Sequence, residues 1–165
     1  MTKAPSPSQP TLYLVATPIG TLGDMSPRAK ETLEKVSFIA CEDTRHTHKL
    51  FSSLGIRTGP LESVHEHNEG EAALRLIQRI LLDGSAAIVT DAGTPCVSDP
   101  GSRFVKAARE AGVRVCSVPG PSALPAAMAA SGFLQPRSVF SQFLPRQTGE
   151  QVDEFKRWQA IAPCI

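Results

Sequence analysis

The residues best suited to hold a ligand lie between Thr90 and Gly101, where Thr-Asp-Ala-Gly-Thr-Pro-Cys-Val-Ser-Asp-Pro-Gly follows an apolar run. Two carboxylates, Asp91 and Asp99, are the fixed charges of this loop. Two loops of similar make stand elsewhere: residues 18–24, Pro-Ile-Gly-Thr-Leu-Gly-Asp, after the first apolar run, and residues 119–122, Pro-Gly-Pro-Ser, after a later one. Three strand ends that each open into glycine and proline mark an α/β ligand crevice, which forms beyond the carboxyl ends of the strands. The first loop lacks G-x-G-x-x-G and no loop carries Gly-Lys-Ser/Thr, which disfavours a dinucleotide site and a P-loop.

Acidic loops repel phosphate. They suit a cation or a hydroxyl-rich group, such as the ribose, ammonium or sulfonium of S-adenosylmethionine, better than a pyrophosphate. Any one glycine or proline here is most simply a tight turn, and Asp99 before Pro-Gly-Ser is a ready helix cap. Asp91 has no such structural use.

The elements that must position these loops read as alternating strands and helices. Residues 12–16 are a nearly continuous apolar run, as in a parallel strand covered on both faces. Ser26 and Pro27 predict a helix start, with Ala29, Leu33 and Val36 inward. Residues 36–41 predict a second strand, 44–54 a basic helix stopped by Gly55, and 58–64 a weak third strand. Asn68 and Glu71 resemble a capping box, ahead of a helix with a stripe of Ala73, Leu74, Ile77, Ile80 and Leu81 that Gly84 ends. A strand over 86–90 follows, then a helix capped by Asp99-Pro100 and running to Ala111 with Phe104, Val105 and Ala108 inward. A strand over 113–118, an alanine-rich helix over 122–131 and a strand over 138–144 complete six strands and five helices. The fold class is α/β, an open, doubly wound, mostly parallel sheet with helices on both faces.

A chain of 165 residues, 41% hydrophobic and 20% charged, holds one ordinary domain with a real core. No apolar run approaches a membrane span and no secretory signal is evident, so a cytoplasmic protein without membrane contact is expected. Cys41, Cys96, Cys116 and Cys164 include no C-x-x-C pair and read as buried thiols rather than a zinc site or disulfide scaffold. A net charge of +1 leaves any nucleic acid to a local patch. Residues 1–10 read as a disordered tail and 11–145 as the α/β domain. Beyond Pro145 the chain turns polar, with a further helix expected over 155–161. The closing Ala-Pro-Cys-Ile reads as the start of a buried strand, which makes 146–165 a linker into a second α/β domain; the alternative is a complete single domain with a docked C-terminal helix.

Seven segments, in order, resemble one family: residues 14–24, 40–47 (Ala-Cys-Glu-Asp-Thr-Arg-His-Thr), 65–69 (His-Glu-His-Asn-Glu), 91–95, 98–101, 119–123 and 143–145 (Phe-Leu-Pro). Over roughly residues 11–146 the chain is similar to the ribosomal RNA small-subunit methyltransferase I family, of the tetrapyrrole-methylase fold group, whose members 2′-O-methylate a cytidine in the decoding region of 16S ribosomal RNA. It departs from the family pattern at Thr21, usually asparagine, and at Gln142, usually glycine. The resemblance implies S-adenosyl-L-methionine as cofactor, S-adenosyl-L-homocysteine as product, 16S rRNA or the small ribosomal subunit as partner, a homodimer, and a second domain that completes the cofactor cleft.

Carried over residue by residue, the resemblance implies cofactor contacts at Pro18, Gly20, Asp91, Ala92, Gly93, Thr94, Val97, Ser122 and Ala123. It assigns Glu42, Asp43 and His67 to catalysis and Arg45 and His65 to the RNA, with Arg45 clamping a phosphate, Asp43 orienting it and His67 near the attacked ribose. Glu69 joins them as a candidate base for the ribose hydroxyl. Simpler uses compete: Asp43 as a helix cap and Arg45, His46, His48 and Lys49 as a solvated face. His65 and His67 have a spacing that could ligate a metal, yet no third ligand is evident, so no metal is expected. Two other readings stand beside the leading one: a tetrapyrrole methylase of the same fold group, and a non-catalytic cofactor-binding or dimerisation module.

Overall fold

The computed structural model describes residues 9–65, 68–133, 139–141 and 143–159. The chain divides into two compact units, Met1–Ser122 and Ala123–Ile165. The expected tail lies almost wholly outside the described residues.

The first unit alternates β1 (Thr11–Val15), α1 (Pro27–Lys35), β2 (Phe38–Cys41), α2 (Thr44–Leu54), β3 (Leu61–Ser63), α3 (Glu69–Asp83), β4 (Ser85–Ile88), α4 (Ser102–Glu110) and β5 (Arg114–Val118). The strands form one sheet in the order β3-β2-β4-β1-β5, and every pair is parallel. Two cores, one on each face, explain why the strands read as continuous apolar runs. Phe38 and Ala40 of β2, with Ala86 and Ile88 of β4, join Leu76, Ile77 and Phe104 of α3 and α4. Ile39 and Cys41 of β2, with Ala87 and the adjoining Val89, join Leu33 and Phe51 of α1 and α2. Successive side chains point to opposite faces, so a strand between two helix layers has no polar side.

Helix boundaries follow local chemistry where that chemistry is present. The Ser26 hydroxyl accepts from the Ala29 N–H at 3.1 Å and Pro27 opens α1. The Asp43 carboxylate accepts from the N–H groups of Arg45 and His46, and Gly55, at φ +66°, closes α2.

Several expectations are corrected. Asn68 makes no cap bond to α3; its side chain accepts from the His65 N–H at 2.8 Å and donates to the Ser63 carbonyl at 3.1 Å, tying the end of β3 to the turn. The buried stripe of α3 is Ala72, Ala73, Leu76, Ile77 and Ile80, while Leu74 and Leu81 are exposed, because the two helix layers leave one narrow face covered. Helix α4 starts at Ser102 with Gly101 before it, and Asp99 is not its cap.

The second unit contains α5 (Ala123–Ala130) and α6 (Thr148–Gln159). The strand expected over 138–144 is absent among its described residues, 139–141 and 143–144 being irregular. A strand needs a ladder partner, and the unit's described residues contain no other strand. Helix α6 begins at Thr148 rather than near Phe155; its Glu154 accepts from the Ser141 hydroxyl at 2.7 Å and from the Trp158 indole and pairs with Arg157, which gives its polar turns fixed partners. Among the described residues no helix is long and apolar enough to cross a membrane, and no group of three His, Cys, Asp or Glu is placed to hold a metal.

Candidate functional site

Strand order decides where the ligand crevice opens. The crossover from β2 leads to β3 at one edge and the crossover from β4 leads to β5 at the other, although β2 and β4 are neighbours. Loops that leave adjacent parallel strands in opposite directions open a crevice at their carboxyl ends. The loop after β2 contains Glu42 and Asp43, with Arg45 following in the first turn of α2, and the loop after β4 is the Thr90–Gly101 segment. The two start side by side, joined by the Val89 N–H to the Ala40 carbonyl at 2.9 Å.

The three glycine- and proline-rich loops are also adjacent, since they follow β4, β1 and β5, neighbours in the sheet. Thr17 and Gly93 exchange backbone hydrogen bonds of 2.9 and 3.1 Å, and the buried Thr17 hydroxyl donates to the Thr90 carbonyl at 3.0 Å. The Thr94 hydroxyl donates to the Pro121 carbonyl at 3.3 Å. Gly93 sits at φ +87°, and Gly120 lies so close to β1's end that a Cβ there would be 3.0 Å from that of Ala16. Cys96 and Ser98, at φ +68° and +60°, are non-glycine residues in the left-handed region. Such conformations cost on the order of 1–3 kcal/mol each and cluster at ligand sites.

Charge converges on the crevice. Burial raises the Glu42 carboxyl above its ordinary range, and the Asp91 and Asp99 carboxylates push it further, against the opposing effect of His65. Glu42 is thus more basic than a free glutamate and stands within the field of the β4 loop. Asp99 accepts from the Thr90 hydroxyl at 2.8 Å. Asp91 keeps one buried carboxylate oxygen, Oδ1, with no hydrogen-bond partner among the described residues. A buried acceptor left open is costly, and a donor from a ligand would relieve it.

Not every expected residue reaches this point. Pro18, at the start of the first loop, is buried, Gly20, Ala92 and Val97 are exposed, and Ser122 ends the first unit. Ala123 opens α5 in the second unit. Asp43 spends its carboxylate on the α2 cap and on the Arg45 guanidinium at 3.1 Å; these bonds hold its carboxyl down at about 2, so it is a poor proton acceptor. That arrangement presents Arg45 outward, 87% exposed. His65 is half-buried at the end of β3, and His67 lies outside the described residues.

Glu69 is reassigned. It is a buried carboxylate, and its Oε1 accepts from the N–H groups of Gly101, Arg103 and Phe104 at 3.1, 2.6 and 3.1 Å. It therefore caps α4 from the first turn of α3, the role expected of Asp99, and anchors the end of the Thr90–Gly101 loop. Gly101, at φ +121°, is required beside it: a Cβ there would lie 2.6 Å from Ile88 Cδ1 and 2.9 Å from Cys96 Sγ. No local signal marks this contact, which joins residues more than thirty positions apart.

Residues 11–163 match the family Tetrapyrrole (Corrin/Porphyrin) Methylases. A ribosomal RNA small subunit methyltransferase I from Xylella fastidiosa is 54% identical over 135 residues, 82% of this chain and 49% of the relative. Its namesake from Mesorhizobium japonicum is 45% identical over 159 residues, 96% of this chain and 54% of the relative. The chain thus spans about half the length of these relatives. Among solved structures, a uroporphyrin III C-methyl transferase from Thermus thermophilus superposes with a TM-score of 0.56 at 21% identity, over 72% of this chain and 52% of that one. A putative cobalamin synthesis related protein from Corynebacterium diphtheriae gives 0.55 at 20%, over 93% and 76%. With its all-parallel doubly wound sheet and these relatives, the chain belongs to the tetrapyrrole methylase family and, within it, is similar to the proteins named ribosomal RNA small subunit methyltransferase I.

Proposed function

We propose that this chain carries the cofactor loops and the general base of an S-adenosylmethionine-dependent enzyme that 2′-O-methylates a cytidine ribose in the decoding region of 16S ribosomal RNA. The names of its relatives support the substrate class. The observation that carries the site is the buried, open Oδ1 of Asp91 where the loops after β1, β4 and β5 meet. An acceptor beside acidic neighbours fits a cationic, hydroxyl-rich cofactor and not a pyrophosphate. Pro18, Gly20, Asp91, Ala92, Gly93, Thr94, Val97 and Ser122 would hold it.

When bound, S-adenosylmethionine supplies an electrophilic methyl group whose leaving group is the neutral thioether of S-adenosylhomocysteine, so positioning is the protein's main contribution. Glu42, made more basic by burial and by Asp91 and Asp99, accepts the proton of the attacking ribose hydroxyl. Arg45, outward on Asp43, holds an RNA phosphate; His65 is the second RNA-contacting residue of this reading and His67 a catalytic one. Residues 146–165 lead toward a second α/β domain that completes the cleft. Helix α5, rich in alanine and with no buried residue, offers a face to a second copy, which makes a homodimer part of this reading. Its ribosomal substrate places it in the cytoplasm.

Titration calorimetry with S-adenosylmethionine tests the cofactor half: Asp91→Ala loses affinity at least about tenfold with unchanged circular dichroism, one open hydrogen bond to a charged group being worth roughly 1.5–3 kcal/mol. Unchanged affinity removes the β4 loop from the site. For the chemical half, label from the cofactor is followed into the 16S rRNA of small subunits, where Glu42→Gln slows transfer by roughly 10² to 10⁴. Label found on a base rather than a ribose would refute the assignment.

A further inference from the structure

Beyond the crevice, α2 and the segment entering β3 enclose an open groove of about 950 Å³. Arg45, His48, Lys49 and Ser52 line it at spacings of three and four, one face of α2, and Arg57 lines it from the segment entering β3. The lining contains no aspartate or glutamate. His48, Lys49 and Arg57 have no ion-pair partner among the described residues, and the only such pair touching the groove is Arg45 with Asp43. Phe51 and Ile56, buried beneath, fix the floor, so the cationic groups stand on a rigid support.

Cationic side chains of which, among the described residues, only Arg45 pairs with a carboxylate, interspersed with hydroxyls from Ser52 and Thr58, form a track for a polyanion rather than a protein-like contact, which would call for a larger apolar centre. We infer that this groove is a second RNA contact, binding the phosphate backbone of a segment that continues outward from the nucleotide held at Glu42. The inference rests on the RNA reading above. Its position supports the direction: α2 begins at Thr44, two residues past Glu42, and its cationic residues Arg45, His48 and Lys49 run outward from that start over about 8 Å of helix. Phosphate contacts of this kind position the substrate and carry no sequence information.

The test measures anisotropy of a fluorescein-labelled single-stranded RNA oligonucleotide against the 165-residue chain over a range of KCl concentrations. The variants are Lys49→Gln with Arg57→Gln, and, as a charge-matched control elsewhere, Lys35→Gln with Lys106→Gln. The groove variant is expected to bind at least tenfold more weakly at low salt. Its slope of log affinity against log salt should fall by about 1.4, two contacts at roughly 0.7 each for single-stranded RNA. The control keeps the wild-type slope, and all three proteins titrate S-adenosylmethionine alike. Wild-type affinity and slope in the groove variant would overturn the inference while leaving the RNA reading intact. No RNA binding by the wild type would overturn both. A dimer in sedimentation without RNA, lost only in the groove variant, would overturn it by making a second copy the occupant.

Discussion

Replacing Glu69 separates a positioning carboxylate from a catalytic one. Its Oε1 serves three N–H donors at the start of α4, two of them, from Gly101 and Phe104, in buried surroundings. Orphaning a buried donor costs about 1–3 kcal/mol, so Glu69→Ala loses about 2–6 kcal/mol from those two. The Arg103 N–H, at the exposed side, recovers water. Loss of the charge at a helix N-terminus adds about 0.3–1 kcal/mol. A destabilisation of about 3–5 kcal/mol is expected, which for a chain of this size lowers Tm by roughly 6–20 °C. Glu69→Gln keeps the acceptor but turns its charge-assisted hydrogen bonds into neutral ones and removes the charge, so it should cost about 1–2 kcal/mol. Urea unfolding followed by far-ultraviolet circular dichroism reads both. Glu69→Ala within about 0.5 kcal/mol of wild type, or equal losses in the two variants, would refute the cap.

Gly101→Ala should cost about 2–5 kcal/mol, from a left-handed φ and a Cβ driven into Ile88 and Cys96, and a wild-type urea midpoint would contradict that packing. Asp43 has a folded value of about 2, below the ordinary 3.8, so its share of stability is present above about pH 4 and is lost as pH falls through 2. Unfolding at pH 7 and at pH 2–3 should therefore show a smaller acid loss in Asp43→Asn than in wild type; parallel losses would exclude the Arg45 contact. The Cys96 thiol is pushed up to about 11 by burial and by the charges of Glu69 and Asp99. Its alkylation by iodoacetamide at pH 8 should be about a hundredfold slower in the native chain than after unfolding, and rapid native labelling would show the loop to be open.

Much of the scaffold is local information. The apolar runs of β1, β2 and β4 are legible because a strand between two helix layers has no polar side, and Ser26-Pro27, Asp43 and Gly55 mark helix ends through hydrogen bonds and φ values spanning a few residues. The three ligand loops are visible for the same reason: glycine and proline declare backbone conformation wherever they stand. Family membership, too, is written in the order of motifs.

Partnership at long range is not local, and there the tertiary structure decides. Only the order β3-β2-β4-β1-β5 makes neighbours of the loops after β4, β1 and β5, and only the divergence of β2 and β4 sets Glu42 within the field of Asp91 and Asp99. Asp99 has the sequence context of a cap, yet Glu69, brought over by the packing of α3 on α4, takes the donors first and leaves Asp99 to the Thr90 hydroxyl. The stretch 138–144 has the composition of a strand and no ladder to join among the described residues of its unit. A side chain's neighbours in sequence set what it prefers; which donor or acceptor it meets is set by the elements that burial of the two cores forces together.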